Sequence, residues 1–155
     1  MLKKILIAIF AILLNAAPLA AESVKLSQGQ DVYVPVYSHI YQGIKGKPYN
    51  LSALLSIRNT DPSNTIKVTL VRYYDSDGIL VKNHLEKPII VQPLGTAEFY
   101  IPERDNSGGS GANFLVHWKG DMVVNAPVIQ AVMIGTASTQ GISFVCEGWV
   151  ISEDK

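Results

Sequence analysis

The stretch with the greatest capacity for chemistry is Asp105-Asn106-Ser107-Gly108-Gly109-Ser110-Gly111-Ala112-Asn113. It combines hydroxyl, carboxyl and carboxamide oxygens with the N–H groups of an unencumbered backbone. Successive amides of this kind form concave nests for anions. The Gly-Lys-Ser/Thr ending of a P-loop is missing, and a strand rather than a helix follows. Gly108-Gly109-Ser110-Gly111-Ala112 is a loosened form of the nucleophile elbow, which needs a strand-turn-helix setting and a histidine partner. Asp105 and Asn106 offer oxygens to Ca²⁺, but no spaced set of carboxylates follows them. Asp105, Ser107, Ser110 and Asn113 are therefore candidate ligand-binding residues for a small polar ligand. The competing reading is a strand-connecting loop whose glycines supply left-handed backbone.

A second candidate surface is aromatic. Tyr33 and Tyr37 share one face of an alternating segment, opposite Val32, Val34 and Val36, and Tyr41 lies further along. With the valines in a core, the rings stand outside, where a sugar or a partner protein could stack on them. Tyrosine also suits a half-exposed sheet face without any ligand. His39, His84 and His117 show no metal-ligand spacing. Cys146 is followed by Glu147-Gly148-Trp149, without the His and Met that a blue-copper site requires. No metal, cofactor or catalytic set emerges. Cys146 reads as a buried, inert thiol, Trp118 and Trp149 as core residues, and Arg58, Asn59 and Asp61 as capping groups of a turn.

These side chains must be held by strands. Asp31 to Tyr37 alternates strictly, and Pro35 within it predicts an edge strand, because proline cannot donate to a ladder. Gln42 to Pro48 reads as a loop. Leu51, Ala53, Leu55 and Ile57 form an inward face, and Asn59 to Asn64 a turn. Thr65 to Tyr74 leads into the hairpin turn Asp75-Ser76-Asp77-Gly78 and a return strand to Lys82. Pro88–Gln92 and Thr96–Ile101 flank Pro93-Leu94-Gly95. Phe114, Val116 and Trp118 face one way, and Val128–Ile134 and Ile142–Ile151 are the last two strands. No segment keeps a 3.6-residue period. The pattern predicts an all-β fold, specifically an antiparallel, immunoglobulin-like β-sandwich of seven to nine strands.

The N-terminus carries an address. Lys3 and Lys4 precede the ten-residue apolar run Ile5 to Leu14, and Asn15, Pro18 and small residues through Ala21 follow. This is the layout of a secretory signal peptide, with the run too short to span a bilayer comfortably. Cleavage after Ala21 leaves residues 22–155 as one domain with 11 positive and 13 negative charges, expected to be periplasmic or secreted and not membrane-spanning. That balance argues against a nucleic-acid partner, which calls for a basic patch. A single Cys excludes an internal disulfide framework.

Five stretches together resemble a known family: Tyr33 to Tyr41, Leu51 to Pro62, Tyr73 to Gly78, Ser107 to Phe114, and Ala131 to Gly135 with Gln140 to Phe144. The chain is similar to the bacterial domain of unknown function 3124 over about Asp31 to Ile151. The resemblance implies an exported bacterial protein with one β-rich domain and carries over no catalytic or binding residue. From the residues themselves the expectation is a non-enzymatic exported binding module, whose partner is an envelope protein or a small polar ligand. The rival readings are a small hydrolase or anion-binding enzyme using the 105–113 loop, and an accessory subunit joined through an edge strand.

Overall fold

A computed structural model describes residues 24–137 and 141–154. The signal-peptide reading of residues 1–21 lies outside them. Twelve strands follow in chain order: β1 (Leu26–Pro35), β2 (His39–Gln42), β3 (Lys47–Asn50), β4 (Ser52–Arg58), β5 (Ile66–Tyr74), β6 (Leu80–Asn83), β7 (Ile89–Val91), β8 (Thr96–Ile101), β9 (Asn113–Asn125), β10 (Val128–Gly135), β11 (Ile142–Glu147) and β12 (Trp149–Glu153). The described residues contain no helix. Twelve exceeds the expected seven to nine. One excess comes from 42–48, which forms the turn of the hairpin β2–β3 rather than an open loop. Its turn glycines, Gly43 and Gly46, both adopt positive φ.

The strands pair antiparallel throughout. One sheet runs β12-β1-β9-β5-β6, with β7 also on β5; a second runs β11-β10-β4-β8. Their inner faces feed one buried cluster. Val32, Val34 and Val36 meet Leu55, Ile57, Met133, Phe114 and Trp118 in it, each almost fully buried. Period-2 alternation is the cause: an antiparallel strand with one wet face places every second residue inside. Each such side chain contributes about 1.5–3 kcal/mol on leaving water.

Two expectations about edges are overturned. Strand β1 is interior, flanked by β9 and β12. Its proline is tolerated because β12 reaches only as far as Tyr33, which pairs with Trp149. Pro35 therefore lies beyond the strand to which it would have had to donate. Residues 142–151 are not one strand either. The chain breaks at Gly148, leaving β11 in one sheet and β12 at the edge of the other. The Gly148 N–H donates to the Ile129 carbonyl at 2.9 Å. A Cβ there would meet that oxygen at 2.6 Å and Val32 Cγ1 at 2.7 Å. Only glycine lets the chain cross so close to both sheets.

Capping groups close the ends of the strands. Asn59 Nδ2 donates to the carbonyls of Asn64, Val91 and Gln92 at 2.8–3.2 Å. Asp61 accepts N–H bonds from Ser63, Asn64 and Asn125. These donors hold the Asp61 carboxyl below its usual range, those of Ser63 and Asn125 foremost. The capping role read for both residues is what they perform.

Candidate functional site

The glycine-rich loop joins β8 to β9, and its polar groups are largely spent on the protein itself. Asp105 Oδ1 accepts from the Ser107 hydroxyl at 2.5 Å and the Ser107 N–H at 3.0 Å. Those bonds, the hydroxyl's first, lower the Asp105 pKa. The Gly109 N–H donates to the Asn106 carbonyl and the Gly111 N–H to the Ser76 hydroxyl. The Gly108 carbonyl accepts from the N–H and hydroxyl of Ser76, while the Gly109 and Ala112 carbonyls accept from Ser38 and Val36. The amides of Asp105, Ser107, Gly109 and Gly111 are thus turned to the protein itself.

The glycines have packing reasons. Gly108 lies on buried Tyr73, whose Oη would stand 1.9 Å from an added Cβ. Gly109 has φ 76°, in the left-handed region. The loop is thus pinned against the segment between β1 and β2, against β5 and against the β5–β6 turn.

Among the described residues no histidine is bonded to Ser110. His39 bonds the Tyr41 hydroxyl, and His117 Nδ1 lies 2.9 Å from Asp31 Oδ1. His84 packs on Phe99 and Phe114 at 5.7 and 5.6 Å between ring centroids. Its Nε2 is buried without a hydrogen-bond partner. Burial, with Lys82 second, pushes the His84 pKa down. Asn113 begins β9, paired with Pro35 and Tyr74. The four loop candidates are held together, but as a strap rather than a cradle.

The tyrosine pair separates. Tyr37 packs against the core, edge-on to Phe144 at 5.9 Å. Tyr33 is exposed, and its neighbour across the ladder is Trp149. Trp149, expected in the core beside Trp118, is 70% exposed, whereas Trp118 is wholly buried. The reason is phase. Ile142, Phe144 and Cys146 face inward, so odd-numbered Val145 and Glu147 face out, and Gly148 carries the chain past without turning Trp149 inside. This alternation was a usable signal in the sequence. Cys146 is buried, and desolvation raises its thiol pKa, as expected of an inert thiol.

Beside Trp149 lies a groove of about 540 Å³. Pro127, Val128, Ile129 and Val150 line it, with Lys25 and Glu147 among its charged groups. Gln30 also lines it, but both ends of that carboxamide are engaged. Its Oε1 accepts from Trp118 Nε1 at 3.2 Å and its Nε2 donates to Glu153 at 2.8 Å. Lys25 Nζ faces Glu153 at 3.5 Å. Glu147 forms no salt bridge among the described residues. The groove therefore offers walls of mixed polar and apolar character, an exposed indole and a carboxylate, Glu147, with no salt bridge among the described residues. No group of three or more His, Cys, Asp or Glu among the described residues is arranged to hold a metal.

The family described as "Protein of unknown function (DUF3124)" matches residues 29–151. The chain belongs to that family. No curated protein matches it. Among solved structures it is similar to the crystal structure of Thermotoga maritima 1070, at 13% identity and a TM-score of 0.48. That match covers 81% of this chain and 97% of the other. The family match takes in the loop and all of the Trp149 groove except Lys25, and assigns a role to neither.

Proposed function

We propose that this DUF3124 protein is a non-enzymatic, exported interaction module that captures a polypeptide segment in the groove beside Trp149. The observation that carries the reading is an indole 70% exposed at the edge of an open groove whose lining mixes apolar side chains with Lys25, Gln30 and Glu147. Solvent-exposed tryptophans flanked by apolar walls are characteristic anchors of protein interfaces. Glu147 adds a preference for a cationic residue next to the anchor. Export rests on the signal-like layout of residues 1–21, which also supports a periplasmic or secreted destination. We read the two sheets as the layers of an immunoglobulin-like sandwich, a reading supported by their shared core and antiparallel pairing. A hydrolase on the 105–113 loop has no support from the bonds of Ser110.

The test uses short synthetic peptides bearing one aromatic or leucine anchor, with or without an adjacent lysine. Their binding is followed by Trp149 fluorescence, against Trp118 as a buried reference. Trp149→Ala is expected to weaken the best binder by about 2 kcal/mol, roughly 30-fold in Kd, measured by calorimetry. Glu147→Gln should remove the lysine preference alone. Equal binding by Trp149→Ala, or no binding by any peptide, would sink the reading.

A further inference from the structure

We propose that β12 is an exchangeable strand, and that the ladder it occupies on β1 is a docking site for β12 of a second copy of this chain. Four observations converge. First, β12 pairs with β1 alone, and all five of its residues are exposed, so detaching it gives up little burial. Second, side-chain bonds supplement its ladder and depend on its own sequence. Glu153 accepts from Ser27 Oγ at 2.6 Å and Gln30 Nε2 at 2.8 Å. Just past the strand, a backbone bond from the Asp154 N–H to the Gly29 carbonyl at 2.9 Å extends the pairing. A second copy brings identical groups, so β1 recognises that strand as well as its own. Third, one residue, Gly148, separates β12 from β11. The sequence before it alternates through Glu147 and continues after it as the apolar run Trp149-Val150-Ile151, with Gly148 the only turn-forming residue between them. Straightening at Gly148 would run β11 directly into β12 and carry the latter away from its own sheet. Fourth, the closed arrangement depends on close packing at that glycine, where any Cβ collides with the Ile129 carbonyl and Val32. A short hinge under steric pressure is the ordinary route to strand exchange between identical chains.

Gly148→Ala should therefore double the mass seen by light scattering, from monomer to dimer, with the strand content unchanged. The connectivity is read with Tyr33→Cys and Trp149→Cys, a directly paired position, in a Cys146→Ser background. Paired strand positions lie within disulfide reach. In an exchanged dimer, oxidation must yield a covalent dimer on a non-reducing gel, with the bridges between chains. A folded monomeric Gly148→Ala, or bridges confined to single chains, would overturn the proposal. If Gly148→Ala does not fold, the cysteine pair alone, with Gly148 kept, decides. Oxidised at high protein concentration, it gives covalent dimers if strands exchange and only monomers if they do not. The groove reading is tested separately by peptide binding, so either proposal can fail without the other.

Discussion

At the scale of single residues, the glycine-rich loop separates appearance from use. Its composition suggests a ligand cradle, but each small residue answers a local demand. Gly108 makes room for the Tyr73 hydroxyl, which itself lies 3.3 Å from Ser38 Oγ. Gly108→Ala is expected to destabilise the fold by about 1–3 kcal/mol, because the added carbon must displace a buried ring in a packed core. Chemical denaturation measures it. Ser110→Ala should leave both the denaturation midpoint and peptide binding unchanged; a selective loss of binding or of an activity would restore the loop as a site. Sequence inspection shows which residues are small, but not whether they are small for a ligand or for Tyr73, because Tyr73 lies more than thirty positions away.

Among the elements, turns and crossings carry the strain. Leu94 adopts φ 57°, a conformation that costs a residue with a Cβ about 1–2 kcal/mol. Its side chain is exposed and its N–H donates to the Asp61 carbonyl at 3.2 Å. The turn it forms sends β7 to one sheet and β8 to the other. Leu94→Asn should stabilise the protein by about 0.5–1 kcal/mol, since asparagine tolerates this region and no packing is lost. A raised thermal midpoint would show it; a lowered one would mean that the leucine has an unrecognised contact. Most strands were legible from alternation alone. The inward faces of Val32 to Val36, Leu51 to Ile57 and Phe114 to Trp118 stand where period 2 places them. The hairpin β2–β3 escaped notice because its strands are only four residues each and Pro48 sits inside one of them.

At the scale of the whole molecule, two carboxylates tie distant segments together. Asp61 receives the Asn125 N–H across the fold, and Glu153 locks the C-terminal strand to Ser27 and Gln30. Both have lowered pKa values, through accepted hydrogen bonds chiefly from Ser63 and Asn125 in one case and Ser27 in the other. A carboxyl depressed by folding stabilises the native state above its unfolded pKa, and that stability is lost as pH falls through the folded value. Stability should therefore hold from neutrality down to about pH 4 and then decline. Asp61→Asn and Glu153→Gln should each flatten the decline, as read from urea midpoints across that range. A decline equally steep in both variants would place the acid sensitivity elsewhere.

The sequence by itself determined the class of structure. Alternating apolar residues, β-branched runs and Asn, Asp, Gly and Pro turns are local signals, because side-chain direction and backbone preference are set within a few residues. They sufficed for an all-β chain, for the buried faces and for the caps at Asn59 and Asp61. Tertiary structure alone decided which strands are neighbours. It put β1 in the interior despite Pro35, divided 142–153 between two sheets at Gly148, and joined Tyr33, Trp149 and the groove on one flank. Those outcomes depend on contacts between segments more than a hundred residues apart, such as Val32 with Val150. Pairing at that distance is chosen by global packing and the closure of a shared core, and no local pattern encodes it.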